Sequence, residues 1–288
     1  MENGIDRPRR VPIEEAIADD APGKRTLMQF LELFVNPEIE KRKQAAKIDE
    51  SFIVTRAQVV LHADMREPTV RLNDEIAGIA IARLGEGSVG REYTSGSPLY
   101  LHEIDTIERF ELPEEERDAG HITMFGLNGK IALFFDARRN RSSASVTLEK
   151  SKQFFELAEA SFEKKHWTAF VDTLFSAAEL AVKAWLWTGP LGFEFAERMR
   201  HGDICEAFQK YVQWGNANPR VLKTYQELTA RRPLLRYRRS REAIRQALAR
   251  RWLEDVRSMV QSAELAVVSV LEAPDNYSAT FRAPGAGI

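Results

Sequence analysis

The strongest chemical signal in the 288-residue sequence is a run of arginines between residues 231 and 251. Nine arginines fall in this segment against one acidic residue, Glu242, so the local charge is +8 in a chain of net charge −2. Guanidinium groups at this density can bind phosphate groups, and the interleaved Tyr237 and Trp252 could stack on bases. The alternative is that the arginines pair with carboxylates of the same chain or form a solvated face. The nine are Arg231, Arg232, Arg236, Arg238, Arg239, Arg241, Arg245, Arg250 and Arg251.

A second candidate surface lies on the stretch His166–Trp187, which contains no Gly or Pro and is apolar nearly all round. This pattern predicts a helix that other helices surround. Asp172, Ser176, Glu179 and Lys183 interrupt the pattern and fall on one narrow arc of the helix. Buried polar groups need partners. The stripe therefore indicates either a local Glu179–Lys183 pair beside solvent or a cleft that faces the arginine-rich segment.

The glycine-rich segment 85–90 matches the pattern G-x-G-x-x-G. A dinucleotide site requires a helix to open directly after such a loop, so that its N-terminus faces the pyrophosphate. Here Gly96 and Pro98 follow, which disfavours a helix. The segment is therefore interpreted as a hairpin loop rather than a phosphate site.

The spacing of the residues gives no evidence for a metal site or for a catalytic nucleophile. The five histidines form no H-E-x-x-H pattern, Cys205 is the only cysteine, and no G-x-S-x-G segment occurs. We therefore predict neither a metal nor a cofactor. The lone cysteine, the charged first residues and the lack of a long apolar run lead us to expect a cytoplasmic protein with no membrane segment.

The order of periodicities predicts an α+β protein with two parts. Residues 52–136 contain several β-branched and alternating segments, and two apolar strands flank Asn128-Gly129, the pair that a type I′ hairpin turn favours. This part is predicted to be a small β barrel or sandwich with short helices, one of them lying across a face. From Leu148 the periodicity is helical and predicts an antiparallel helical bundle.

The predicted domain boundaries follow these changes of pattern. They are a flexible arm over 1–23, a mainly-β domain with an N-terminal helix over 24–140, a linker over 141–147, a helical bundle over 148–272, and a flexible tail over 273–288.

The second part resembles a HEPN domain, an all-α bundle associated with nucleotides and RNA. The segment 158–186 (AEASFEKKHWTAFVDTLFSAAELAVKAWL) is similar to the first helix pair of that family and ends in an A-x-K-A-x-L segment. His201, followed by Ile204 and Phe208, resembles the family's His-led third helix, and 225–239 (YQELTARRPLLRYRR) resembles its arginine-bearing helix. The resemblance covers less than half of the chain.

In catalytic members, the resemblance implies metal-independent RNA cleavage by an R-x(4–6)-H motif together with a polar residue of the second helix. The arginine would neutralise phosphate charge and the histidine would transfer a proton. Arg232, with Arg231, occupies the arginine position, and Asp172, Ser176 and Glu179 occupy the second-helix polar positions. No histidine follows, and Tyr237 stands where it would fall. A tyrosine is a weak base at neutral pH.

Two hypotheses of different classes remain open. The first is an RNA- or nucleotide-binding protein, potentially an endoribonuclease of a toxin or defence type but without the catalytic histidine. Its tentative catalytic residues are Arg232, Tyr237, Asp172 and Glu179, and its nucleic-acid-binding residues are Arg231, Arg236, Arg238, Arg239, Arg241 and Arg245. The second is a non-catalytic interaction module that forms a homodimer through the helical bundle, with Trp185, Trp187, Phe193 and Phe195 at the interface. In either case the β domain would recognise a partner or ligand.

Overall fold

A computed structural model describes residues 23–85, 103–127, 130–189, 201–237, 244–267 and 278–281. The chain forms two compact units. The β unit comprises Met1–Asp136 with Leu271–Ile288, and the helical unit comprises Ala137–Val270. The mixed α+β composition and the order of the two parts confirm the predicted fold class.

The β unit begins with helix α1 (Lys24–Phe30), which continues through a π-helical stretch, Leu31–Val35, into α2 (Asn36–Gln44). No turn separates the second helix from the first. The Asn36 N–H donates to the Leu31 carbonyl, five residues back, as in a π-helix. Leu27, Phe30, Leu31 and Val35 are the buried side chains of this segment.

Within its described residues, this unit contains seven strands that form two antiparallel sheets. The first sheet has the order β2-β1-β5-β6 and the second has the order β4-β3-β7. The strands are β1 (Arg56–Leu61), β2 (Thr69–Leu72), β3 (Gly78–Leu84), β4 (Ile104–Glu111), β5 (Gly120–Leu127), β6 (Lys130–Asp136) and β7 (Ser278–Phe281). Strands β5 and β6 pair with Leu127 opposite Lys130, which confirms the predicted hairpin. Its turn residues, Asn128 and Gly129, lie outside the described residues.

The two faces of the first sheet pack against different layers. Ala57, Val59 and Met124 join the buried side chains of the helix 24–44 in one apolar cluster. On the opposite face, Phe125 packs with Phe110 of the second sheet, with ring centroids 5.3 Å apart. Side chains alternate between faces along a strand, so neighbouring residues 124 and 125 serve different cores. The β unit is thus a two-sheet sandwich with a helix across one outer face.

The helical unit contains five helices within the described ranges. They are α3 (Arg141–Glu163), α4 (Trp167–Thr188), α5 (His201–Gln213), α6 (Pro219–Tyr237) and α7 (Gln246–Val267). Helix α4 is central, since it packs against each of the other four. Eleven of its residues are buried, among them Phe170, Leu174 and Phe175, which accounts for its nearly uniform apolar sequence. Pro233 lies inside α6 without ending the helix.

Two predicted boundaries differ from the structure. Residues 141–147, predicted as a linker, form the first turns of α3. Ala144, Thr147 and Leu148 are buried there at helical spacing, so core packing overrides the polar, small-residue composition. The predicted flexible tail contains β7, which pairs with Gly78–Ile81 of β3. The partner strand supplies the backbone hydrogen bonds that so short a segment cannot make alone.

Candidate functional site

The polar stripe of α4 is half-buried in the structure, whereas eleven other residues of the helix are buried. Asp172, Ser176, Glu179 and Lys183 are all partly exposed, as their spacing predicted. Helix α4 is therefore open to water along part of its surface.

Asp172 is the residue that meets the arginine-rich helix. Its Oδ1 atom accepts a hydrogen bond from Arg232 Nε at 2.8 Å and a longer one from Arg236 Nη1 at 3.4 Å. Arg232 and Arg236 are four residues apart on α6 and so lie on the same side of that helix. The structure thus brings together one predicted second-helix carboxylate and two of the predicted arginines.

Arg232 is also held by an aromatic ring. Its guanidinium carbon lies 4.6 Å from the centroid of the Phe175 ring, and that ring stacks on Tyr225 with centroids 6.1 Å apart. Phe175 is one turn beyond Asp172 on α4, so the same helix face provides both the carboxylate and the ring. Sequence reasoning did not single out Phe175 or Tyr225, although the i, i+3 spacing from Asp172 was a usable signal.

The terminal amino groups of Arg232 are available to a ligand. Only its Nε atom donates a hydrogen bond, to Asp172, and within the described ranges its two Nη groups have no partner. Two parallel N–H groups of a guanidinium match two oxygens of a phosphate or carboxylate. The arrangement therefore fixes the side chain and leaves its anion-binding end open.

The rest of the stripe points to other neighbours. The Ser176 hydroxyl donates to the Asp172 main-chain carbonyl at 2.9 Å, which uses it within α4. Burial raises the pKa of the Tyr225 phenol well above its usual range, and the nearby Glu179 carboxylate raises that pKa further. The Lys183 ammonium lies 4.7 Å from the centroid of the Trp187 ring.

Arg231 faces a different helix from Arg232. Its guanidinium carbon lies 5.5 Å from the centroid of the Trp252 ring on α7. The Trp252 indole N–H donates to Glu227 Oε2 at 2.6 Å, and Arg251 donates to the same oxygen. Trp252 is fully buried, so the predicted role of its ring in base stacking is wrong. These contacts join α6 to α7.

The remaining predicted site residues are partly outside the described ranges. Arg238, Arg239 and Arg241 fall there, and of Tyr237 the structure describes only the backbone, as the last residue of α6. Arg245 is exposed directly before α7, and its carbonyl accepts the Ala249 N–H at 3.1 Å. Of the predicted site residues, the described structure therefore brings together Arg232, Arg236 and Asp172.

The R-x(5)-H match between Arg56 and His62, which lies in the β unit, is not a catalytic pair. Arg56 binds Asp74 at 2.5 Å, whereas His62 contacts Thr69 and Arg66. Burial lowers the pKa of His62, and the positive charge of Arg66 lowers it further. The two side chains therefore have separate partners.

A cavity of about 250 Å³ lies between α2 and the first sheet of the β unit. Arg42 lines this cavity, and its guanidinium binds Glu38 at 2.7 Å, Glu75 at 2.7 Å and the Val70 carbonyl at 3.0 Å. Burial acts to raise the pKa of Glu75, but the hydrogen bonds from Arg42 and the Leu72 N–H, together with the positive charges of Arg42 and Arg71, lower this pKa below its usual value. The arginine charge is thus balanced within the protein, and the cluster fastens the helix to the sheet.

Within the described ranges, no three His, Cys, Asp or Glu side chains are grouped so that they could hold a metal ion. Of the glycine-rich segment 85–90, only Gly85 is described, and its N–H donates to the Glu103 carbonyl at 2.9 Å. Among the described helices, none combines the length and the apolarity needed to cross a membrane.

The helical unit is thus a bundle in which a carboxylate on the central helix holds two arginines of a neighbouring helix. Residues 144–266 match the family model of the HEPN domain, so the C-terminal part of the chain is a HEPN domain. At the level of this family, RNA-related, nuclease-like and interaction functions are expected. The comparison with curated proteins gave no match.

Proposed function

We propose that the HEPN domain binds RNA through its phosphate backbone, with Arg232 and Arg236 as the anchoring residues. The observation that carries this proposal is the geometry of Arg232. Asp172 and the Phe175 ring hold the side chain, and the two terminal amino groups have no partner within the described ranges. A guanidinium that is already oriented loses less conformational freedom when it binds a phosphate than a mobile one.

Asp172 orients the arginines without neutralising them fully. One carboxylate faces two guanidinium groups, so the group of three carries a net charge of +1. All three side chains are partly exposed, and water screens their attraction. A phosphate oxygen can therefore bind the outer side of Arg232 while Nε remains on Asp172.

The neighbouring arginines extend the basic surface in this proposal. Arg238, Arg239 and Arg241 follow α6 in sequence, and the exposed Arg245 precedes α7. Arg231 contributes to the contact with Trp252 on α7. We therefore assign phosphate binding first to Arg232 and Arg236, and long-range attraction of the polyanion to the segment 238–245.

Binding without rapid cleavage is the activity that the residues support best. RNA cleavage at neutral pH needs a group that transfers a proton, and no histidine occurs between residues 231 and 251. Tyr237 stands at the position of the family's histidine. If cleavage occurs, we propose that it is endoribonucleolytic, with Arg232 stabilising the phosphate charge and Tyr237 as the proton-transfer candidate.

The test is binding of a labelled single-stranded RNA at two salt concentrations, followed by a gel for cleavage products. The variant Arg232→Ala/Arg236→Ala should lose binding at low salt. Arg257→Ala is a matched control, because Arg257 also pairs with a carboxylate (Glu159, 2.7 Å) and lies over a ring (Phe155, 5.5 Å). Wild-type protein that fails to bind RNA at low salt would refute the proposal, and product bands would show a nuclease.

We propose homodimerisation through the helical bundle as a second function. Exposed apolar side chains on α3 and α7 favour it: Val146, Leu157 and Leu265 are 58%, 55% and 78% exposed. Of the residues predicted at the interface, Trp185 packs against Phe208 and Tyr211, whereas Phe193 and Phe195 lie outside the described residues. We therefore propose α3 and α7 as the interface. Sedimentation measures the oligomeric state of wild type and Leu157→Asp. The wild-type dimer should respond little to salt, because its interface is apolar, and the Leu157→Asp variant should be a monomer.

A further inference from the structure

An open groove of about 460 Å³ runs along the beginning of α7. One side of the first helical turns lines it, with Gln246, Ala247, Arg250, Arg251 and Glu254. None of these residues belongs to the Asp172 site. We call it the α7 groove.

The α7 groove has the chemistry of an anion site. Arg250 is exposed and, within the described ranges, has no ion-pair partner, so its charge is available. The first turn of the 22-residue helix contains no acidic residue, and a helix N-terminus carries partial positive charge. Arg251 lies beside Arg250 and pairs with Glu227 through its Nη2 atom, while its buried Nε atom has no hydrogen-bond partner within the described ranges. The positive charge of the groove that no carboxylate balances therefore comes from Arg250 and the helix end.

The α7 groove is connected to the first site through α6. Arg251 donates a hydrogen bond to Glu227 on α6, and Glu227 is five residues before Arg232, or about 7.5 Å along the helix axis. Arg232 faces α4, whereas Glu227 faces α7. A ligand that contacts both Arg232 and Arg250 must therefore reach from one side of α6 to the other, which requires more than one phosphate group.

We infer that the α7 groove binds a second phosphate of the ligand that Arg232 anchors, so that the ligand is an oligonucleotide and not a mononucleotide. This inference rests on the proposed function. Glu254 limits the affinity, because its carboxylate lies on the groove wall and its nearest cation, Arg220, is 3.9 Å away.

Two substitutions with opposite effects test the groove. Arg250→Gln should weaken binding of a labelled 20-nucleotide RNA by roughly threefold to tenfold, and Glu254→Gln should tighten it by a similar factor. A gain of affinity cannot come from misfolding. Binding of a fluorescent AMP should be much weaker than RNA binding and should not respond to Arg250→Gln.

The outcomes separate the groove from the first site. If Arg232→Ala/Arg236→Ala abolishes RNA binding while Arg250→Gln and Glu254→Gln leave it unchanged, the groove assignment is wrong and the proposed function stands. If AMP binds wild-type protein as tightly as RNA, the oligonucleotide assignment is wrong. If wild-type protein binds no RNA, both the groove and the proposed function are refuted.

Discussion

Arg231 and Arg232 are adjacent in sequence but contact different helices: Arg232 binds Asp172 on α4, and Arg231 lies over the Trp252 ring on α7. Successive residues of a helix point about 100° apart, so α6 uses one arginine for each of its two neighbours. Arg232, whose Nη groups have no partner within the described ranges, is suited to ligand binding. Arg231, which lies over the Trp252 ring, links α6 to α7.

Removal of the Asp172 charge should strengthen RNA binding. Asp172→Asn keeps the shape of the side chain but removes the negative charge beside Arg232 and Arg236, so affinity at low salt should rise by roughly threefold to tenfold. The free energy of unfolding should fall by about 1 kcal/mol, because the lost pair is partly exposed. Anisotropy and urea titrations measure the two effects. Glu159→Gln is the control, since it frees Arg257 with the same change in net charge but away from the site; equal gains in both variants would argue for non-specific attraction.

Tyr225 should make the helical unit sensitive to alkaline pH. Burial raises the pKa of this phenol in the folded state above its unfolded value of about 10. The folded state therefore holds the proton more tightly, so this contribution to stability is complete below pH about 10 and is lost as the pH rises further. Between pH 8 and pH 11, the urea midpoint of unfolding should fall less for Tyr225→Phe than for wild type. An equal fall in the two proteins would contradict the assignment.

Asp255 should be important for the contact between α6 and α7. Its buried carboxylate accepts a hydrogen bond from Thr224 Oγ1 at 2.6 Å and forms an ion pair with Arg220 Nε at 2.7 Å. Asp255→Ala leaves the Thr224 hydroxyl buried without its acceptor and should cost about 2–3 kcal/mol of unfolding free energy. Glu254→Ala, at the half-exposed neighbouring position, should change it by less than about 0.5 kcal/mol. Similar losses in both urea titrations would show that general charge, not this contact, matters.

Gly78 should be irreplaceable in the β unit. A Cβ atom there would lie 2.2 Å from Phe110 Cζ and 2.6 Å from the Glu111 carbonyl oxygen, and Phe110 is part of the buried core. Gly78→Ala should therefore destabilise the β unit by about 3 kcal/mol or more. In contrast, Gly202→Ala in α5 meets no atom within 4 Å and should stabilise the helical unit by up to about 1 kcal/mol. Thermal unfolding of the two variants measures the predicted loss and the predicted gain of stability. A Gly78→Ala protein as stable as wild type would contradict the close packing of Gly78 against Phe110.

Local sequence patterns were sufficient for the elements that depend on local preferences. The stretch 167–188 lacks helix breakers and is apolar, and it forms α4. The paired strands around Asn128-Gly129 form β5 and β6. Strand β7 could not be predicted in this way, because its pairing with β3 joins segments almost 200 residues apart. The four residues Ser278–Phe281 carry too little pattern to indicate a register.

The composition of the candidate site was predictable, but its geometry was only partly so. The polar stripe and the arginines were identified from their spacing, whereas the different directions of Arg231 and Arg232 were not. A usable signal existed: Val221, Tyr225 and Leu228 are buried at i, i+4 and i+7, and Arg232 continues that face. The contact of Arg232 with Phe175 also depends on the packing of α4 against α6, which single-helix patterns do not contain.

The most direct test of the central claim is the salt dependence of single-stranded RNA binding by wild type, Arg232→Ala/Arg236→Ala and Arg257→Ala. Each phosphate contact on a single strand adds about 0.7 to the slope of log affinity against log salt. We predict that the double variant loses about 1.4 from this slope, together with most of its affinity at low salt, and that Arg257→Ala matches wild type. Equal slopes in all three proteins would contradict the assignment of Arg232 and Arg236 as the phosphate-binding residues.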